Sequence, residues 1–298
     1  MSWRIITVSN EAKLSLASEQ IIIKQDEEYR LPLEDIGALV LESRAILLTT
    51  AILDACAKHK IALYVCDERH MPSAMLLPYQ QHSRQSKVIE RQLAWSLPFK
   101  KRLWQQVIKQ KISNQKIVIE EITEKSHPEF INYISSVDSG DTLNREATAA
   151  RAYFDTLLPE NSTRGSEDRI NGGLNYGYAI LRGAIARSLV AYGFLSSVGI
   201  HHESELNNFN LADDLLEPYR PIVDLHVFTN IASNDGELTK EDRSLLVGIL
   251  ASEISIGGKF QSVLRAMEIT AQSLVSATEQ GDHSLIQLPI ISTRSHDL

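Results

Sequence analysis

The feature that most constrains this chain is a change of hydrophobic period near Pro78. Before it lie short β-branched or alternating runs, RIITV, KLSLA, QIIIK, IGALVLE and IALYVCD, separated by turn-like stretches such as SNEA and KQDEE. A period of two over about five residues is the signature of strands. One helix-like segment, LTTAILDACAKHK, separates the fourth run from the fifth. From about Ser83 the apolar residues recur every three to four positions, in SRQSKVIERQLAW, KKRLWQQVIKQKISNQKIVIEEI, NREATAARAYFDTLL and the segment from Tyr176 to Phe194. That spacing predicts amphipathic helices. The expected fold is α+β: a small β-rich N-terminal domain of mixed topology over residues 1–78, then a larger, mainly α-helical domain over residues 79–298.

At 298 residues and 43% hydrophobic composition, the chain can bury a core without covalent staples. Cys56 and Cys66 form no CxxC pair, so they are expected to be buried free thiols of a reducing compartment. The opening MSWRIITVSN has no apolar stretch behind a basic start, and the apolar segment NYGYAILRGAIARSLVAYGF is broken by Arg182 and Arg187. A cytoplasmic protein without membrane spans is expected.

The net charge of −8 argues against a nucleic-acid partner until its distribution is read. Between Arg84 and Lys116 stand Arg84, Lys87, Arg91, Lys100, Lys101, Arg102, Lys109, Lys111 and Lys116 against Glu90 alone, a window of +8, which leaves −16 for the rest. Such segregation points to one surface built for a polyanion. The competing reading is a solvated helix face, with the interleaved Trp95, Phe99 and Trp104 in the core.

Carboxylates and histidines concentrate in GIHHESELNNFNLADDLLEPYRPIVD, residues 199–224. LADDLLE reads as a helix on which Asp213, Asp214 and Glu217 crowd adjoining faces and repel one another, so that removing one is expected to cost little stability. A cation would offset the repulsion, and hard oxygens with one imidazole suit magnesium or manganese better than structural zinc. An exposed acidic helix start beside two surface histidines is the alternative. Glu146, near the start of the helix in NREATAARAYFDTLL, is expected on the side away from Ala150, Tyr153 and Phe154. A lone glutamate there also answers to the helix dipole.

Three segments, SGDTLNREATAARAYFDTLLP, INGGLNYGYAILRGAIARSLVAYG and GIHHESELNNFNLADDLLEPYRPIVD, together resemble the CRISPR-associated integrase family, the catalytic subunit of the spacer-acquisition complex. The opening MSWRIITVSNEAKLSL resembles the form found in type II systems. The resemblance covers nearly the whole chain and is weakest in the last ~50 residues. It implies an N-terminal domain that forms a homodimer and a helical domain holding Mg2+ or Mn2+ on Glu146, His202 and Glu217, which would be both metal ligands and catalytic residues. It also implies a reaction in which the 3′-hydroxyl of a short DNA fragment attacks a phosphodiester at a CRISPR repeat end, with spacer precursor and repeat as double-stranded DNA partners. Further implied partners are the small second adaptation protein and the RNA-guided effector nuclease. Tyr219 stands where the family has phenylalanine. In an extended segment only one of two adjacent histidines can reach the site; His202 holds the motif position, leaving His201 exposed or against DNA. Asp214 is a candidate to orient His202. Arg220 either neutralises the acidic cluster, holds a phosphate, or pairs with Asp224. Arg84, Lys87, Arg91, Lys100, Lys101, Arg102 and Lys109 are the candidate DNA contacts. A plain metal-dependent nuclease using water, and a catalytically silent DNA-binding scaffold, remain as alternatives.

Overall fold

A computed structural model describes residues 4–78, 83–160, 162–231 and 236–292. The fold is α+β. Its first part runs β1 (Arg4–Val8), β2 (Lys13–Ala17), β3 (Gln20–Lys24), β4 (Glu28–Pro32), β5 (Ile36–Leu41), β6 (Leu47–Leu48), α1 (Thr50–Lys58), β7 (Ala62–Cys66) and β8 (Pro72–Met75). Two four-stranded sheets result. In one, of order β1-β5-β7-β8, the first three strands are parallel and β8 is antiparallel; the other has the order β4-β3-β2-β6. The sequence reading missed EYRLP as β4 because charge interrupts its alternation. The boundary expected between residues 78 and 79 abuts residues 79–82, which lie outside the described residues.

Helices follow: α2 (Gln85–Leu93), α3 (Leu97–Thr123), α4 (Glu129–Ser136), α5 (Arg145–Leu157), α6 (Arg169–Ala191), α7 (Asn210–Leu216), α8 (Arg220–Asn230) and α9 (Lys240–Gly248). A hairpin of β9 (Glu253–Ile256) and β10 (Lys259–Ser262) precedes α10 (Val263–Gln280). The hairpin turns on Gly257 and Gly258, both at positive φ, the geometry a two-residue turn of this hand requires. Among the described residues no helix is long and apolar enough to cross a membrane.

Every residue of β5 is buried, because both faces of its sheet are covered. Alternate residues divide between two cores. Leu39, Leu41 and Leu63 face β2, β3 and α1, whereas Ala38, Val40, Ala62, Tyr64 and Cys66 enter the helical core. Tyr64 marks the seam: its hydroxyl donates to the Ile180 carbonyl (2.8 Å), and its ring lies where a Cβ on Gly183 would meet it at 2.2 Å, so α6 approaches the sheet only because residue 183 has no side chain. Arg187 donates to the Lys60 carbonyl (2.5 Å), and Arg243 pairs with the fully buried Glu42 carboxylate at 2.9 Å. Cys56 and Cys66 are free and buried, and burial raises their thiol pKa values to about 11 and about 12.

Helix α3, 27 residues long, is the spine of the second half. Ser96 caps it by accepting from the Phe99 N–H, and Pro98 in its first turn is pre-shaped for a helix start. Its buried stripe includes Leu103, Trp104, Val107, Ile108, Lys111, Ile112, Asn114, Gln115 and Val118. Lys111 is therefore a core-facing residue of a helix whose charge suggested a basic surface.

Candidate metal centre and its surroundings

Helices α3, α5 and α6 and the turn after α7 wall a cleft lined by Lys111, Glu146, Tyr178, Glu217, Arg220 and Asp224, among others. Glu146 enters from the first turn of α5. Its backbone is anchored by Asp141, whose two carboxylate oxygens accept from the N–H groups of Arg145 (2.9 Å) and Glu146 (3.0 Å). A carboxylate on these otherwise unpaired amides caps the helix and complements its dipole. Ala150 and Phe154 line the same cleft, so Glu146 is not on the side away from them. Residues four and eight positions apart share one helix face, and it is this face that turns to the cleft.

Glu217 lies beyond the end of α7, in a tight turn over Glu217–Tyr219. Two buried polar contacts fix that turn, one on the Pro218 carbonyl and one on the Tyr219 hydroxyl. Asn114 of α3, fully buried, donates to the carbonyls of Pro218 (2.7 Å) and Pro289 (3.0 Å) and accepts from the Ile291 N–H (3.2 Å). The Tyr219 hydroxyl meets Thr270 Oγ1 at 2.8 Å, and that hydroxyl donates to the Gln287 carbonyl at 2.9 Å. The departure from the family's phenylalanine thus has a buried partner.

The third arm is the loop 199–202, wound around one carboxylate. Asp214 Oδ2 accepts from the N–H groups of Ile200 (2.5 Å) and His201 (3.0 Å), and Oδ1 accepts from the His202 N–H (3.1 Å) and faces His202 Nδ1 at 2.6 Å. Asp214 is completely buried. A Cβ at Gly199 would stand 2.2 Å from the His202 carbonyl oxygen and 2.8 Å from Asp214 Oδ2, so the wrap requires glycine there. The Asp214 hydrogen bond raises the His202 pKa above the ordinary value, and Glu217 adds to the rise. With Nδ1 engaged, Nε2 is the nitrogen left to face a ligand, the tautomer arrangement of a histidine tied to a carboxylate.

Both histidines touch Trp104. His201 stacks on its face, with centroids 4.2 Å apart and rings 3° from parallel, while His202 meets it edge-on at 5.9 Å and 86°. Opposite orientation of the two side chains was expected; one tryptophan instead receives both. Of the expected acidic cluster, each member has its own cation or donors. Asp213 binds Arg182 (2.6 Å) and Asn207 (2.7 Å), Asp214 holds the loop, and Glu217 pairs with Lys111 (2.5 Å) and Arg220 (3.0 Å). Each of the three carboxylates is matched by partners of its own, so their mutual repulsion is not the governing term. The expectation that removing one is almost free of cost is corrected accordingly: the Glu217 side chain is 8% exposed, and without it buried Lys111 and half-buried Arg220 would each be a cation short of a partner. Arg220 lies over the Tyr178 ring, 4.7 Å from its centroid, and pairs with Glu217 at its back rather than with Asp224. Asp224 accepts from the Tyr178 hydroxyl at the base of the cleft, and burial pushes its pKa up to about 6.

Lys111 is the member that sequence reasoning missed. Its ammonium donates to Glu146 Oε1 and lies 2.5 Å from Glu217 Oε2, so one cation serves both carboxylates. Burial works to lower the Lys111 pKa, but Glu217 and then Glu146 outweigh it and hold the amine above its ordinary value. Burial likewise works against the Glu217 carboxylate, yet Lys111 and then Arg220 keep its pKa below the usual range. The available signal was position: residue 111 falls in step with Trp104, Val107, Ile108 and Gln115 along the buried stripe. Asn114 and Asp141 also escaped notice, each a polar residue whose task is visible only once its backbone partners are near.

The donor set suits a hard divalent cation. Two carboxylates line the cleft, and the His202 imidazole is near enough to Glu217 for each to shift the other's pKa. As the side chains stand, however, no group of three or more His, Cys, Asp or Glu residues among the described residues is gathered closely enough to hold a metal. Lys111 stands between the carboxylates instead.

The basic window is not one surface. Arg91 pairs with Glu279, Lys100 with Glu203 (2.8 Å) and Lys116 with Glu120 (2.6 Å), while Lys111 is buried. Arg84, Lys87, Lys101 and Arg102 are exposed, and Lys109 is half-buried. Phe99 and Trp104 are buried, and half-buried Trp95 donates to Thr278 (3.1 Å), so these aromatics belong to the packing.

The family described as CRISPR associated protein Cas1 matches residues 5–245 of this chain. A CRISPR-associated endonuclease Cas1 from Neisseria meningitidis serogroup C (strain 8013) is 41% identical over 295 residues, covering 98% of this chain and 97% of the relative. Among solved structures, a casposase bound to integration product matches with a TM-score of 0.77 at 19% identity, over 100% of this chain and 96% of the other. A Cas6-RT-Cas1–Cas2 complex matches with a TM-score of 0.71 at 20% identity, over 99% of this chain and 36% of the larger one. At these identities the two structures speak to the fold.

Proposed function

The chain belongs to the CRISPR-associated Cas1 family, and from that membership we propose that it is a metal-dependent DNA endonuclease and integrase, inserting short DNA fragments into a CRISPR array. The observation that carries this reading is the convergence of Glu146 and Glu217 on one buried cation position, beside a histidine whose Nδ1 is fixed by Asp214. Glu146, His202 and Glu217 would hold the ion, Mg2+ or Mn2+. When bound, such an ion polarises a phosphodiester and stabilises the charge that builds as it is attacked. The chain's own residues do the rest. Asp214 keeps His202 Nδ1 engaged, so that Nε2 is the nitrogen left for a ligand. Arg220, steadied between Glu217 and the Tyr178 ring, offers its remaining N–H groups to a phosphate oxygen. Attack by the 3′-hydroxyl of the incoming fragment forms a phosphodiester with the 5′-phosphate of the repeat end and releases the 3′-hydroxyl of the strand that bordered the repeat, a transesterification that needs no nucleotide. Water in place of that hydroxyl gives the nuclease reaction at the same residues. A strand-transfer assay with a labelled fragment and a repeat-bearing plasmid tests the reading, joined product against released ends being the discriminating result.

The substrate and assembly follow from the same premise. Spacer precursor and CRISPR repeat are the duplex partners. Residues 1–78 are proposed as the homodimerisation unit and residues 79–298 as the catalytic one, with the small second adaptation protein and the effector nuclease as further partners. Among the candidate DNA contacts, Arg84, Lys87, Lys101 and Arg102 are exposed and placed to bind phosphates, whereas Lys100 and Arg91 must first leave Glu203 and Glu279. Substituting Lys101 and Arg102 together by alanine is expected to weaken binding to duplexes of any sequence and to reduce the slope of log K against log salt by roughly 0.9 per lost contact. Fluorescence anisotropy across a salt series measures it; an unchanged slope returns the segment to a solvated face.

A further inference from the structure

The position between Glu146 and Glu217 already holds a cation, the ammonium of Lys111. Its side chain is 8% exposed, that of Glu217 8% and that of Glu146 30%, so water does little to screen the trio. Together with Arg220 on Glu217, two carboxylates face two cations and the cluster is close to neutral. A divalent ion added to that set would meet an ammonium at contact distance from the same oxygens. As they stand, Glu146, Glu217 and His202 are not gathered closely enough to hold a metal. We infer that Lys111 is a resident occupant of the cation position, neutralising Glu146 and Glu217 until a divalent ion arrives, so that metal entry is an exchange in which the ammonium is expelled toward the open cleft. The inference rests on the metal site proposed above and adds a step to its loading. Expulsion leaves a mobile positive charge at the cleft, where a DNA phosphate gives it a new partner. Metal and DNA therefore favour each other's binding.

Two measurements on the full chain test this, neither of them of activity. Mn2+ binding, followed by the loss of the free-ion electron paramagnetic resonance signal, is expected to be at least ~10-fold tighter in Lys111→Met and Lys111→Gln than in wild type, because a like-charged competitor is gone. In wild type, labelling of lysines by an amine-reactive ester, read by mass spectrometry, is expected to show Lys111 protected without metal and several-fold more reactive once Mn2+ saturates. If the variants fail to fold, the wild-type labelling decides alone. Unchanged or weaker Mn2+ binding in the variants, with Lys111 equally protected at saturation, overturns the exchange. Glu217→Gln separates the two layers. If it loses Mn2+ while the Lys111 results are negative, the metal site stands and only the exchange falls; if it binds Mn2+ as wild type does, both fall.

Discussion

Glu217→Gln, Glu146→Gln and His202→Ala are each expected to abolish strand transfer, by roughly 10³-fold or more, a loss at least as large as that of a single preorganised transition-state donor. Glutamine keeps the volume and one acceptor oxygen but removes the charge. Glu217→Ala is the poorer test, since it leaves buried Lys111 with Glu146 alone and takes the carboxylate from half-buried Arg220, and is expected to cost roughly 3 kcal/mol of stability besides activity. His201→Ala is the control from the adjacent position: its ring stacks on Trp104 and meets the His202 ring only edge-on, at 5.7 Å and 83°, so most activity should persist. A strand-transfer assay, with thermal melts and Mg2+ or Mn2+ titrations in parallel, reads all of these. Normal integration by both glutamine variants would transfer the assignment to the DNA-binding scaffold reading. A dead His201→Ala with an active His202→Ala would exchange the ligand and leave the site in place.

Asp214 is expected to rival them without touching substrate. Asp214→Ala leaves three backbone amides without their acceptor, at roughly 1–3 kcal/mol for each that stays buried, and frees the His202 ring. Asp214→Asn keeps the shape but places an N–H₂ where an acceptor is needed. Its folded fraction should hold the metal about 10- to 100-fold more weakly, the usual consequence of losing a histidine's orienting carboxylate. Calorimetric melts separate the stability loss from a Mn2+ titration of the folded protein. Wild-type metal affinity in Asp214→Asn would show that the ring is oriented by Trp104 instead.

Much of this was legible in the sequence because it is local. The alternating runs became β1, β2, β3, β5 and β7, and the three- to four-residue spacing became α2, α3, α5 and α6. The β9–β10 hairpin was also within reach, since ISIGGKFQS sets a Gly-Gly turn between alternating residues, but helical surroundings drew attention from it. What escaped was pairing at a distance. Lys111 reads as one more cation of a basic stretch until Glu146 and Glu217, 35 and 106 residues away, are brought to it. The acidic crowding around Asp213, Asp214 and Glu217 was overread for the same reason: spacing along a helix reports which carboxylates are neighbours, not which cations arrive from elsewhere. The sheet shared by two cores was equally hidden, because an unbroken apolar run such as IGALVL does not say what covers each face.

The wrap of residues 199–202 around Asp214 sets an unusual rule for sequence drift. Three of its four bonds come from main-chain N–H groups, which every residue except proline supplies. Position 201 is exposed and tolerates many side chains, position 200 asks only for an apolar one that fits its buried site, and position 199 admits glycine alone. Homologous chains are therefore free to spell this loop differently, provided that proline never enters at 200, 201 or 202. In a saturation library the informative substitutions are the prolines at 200 and 201, whose loss of function would map the wrap without replacing a catalytic side chain.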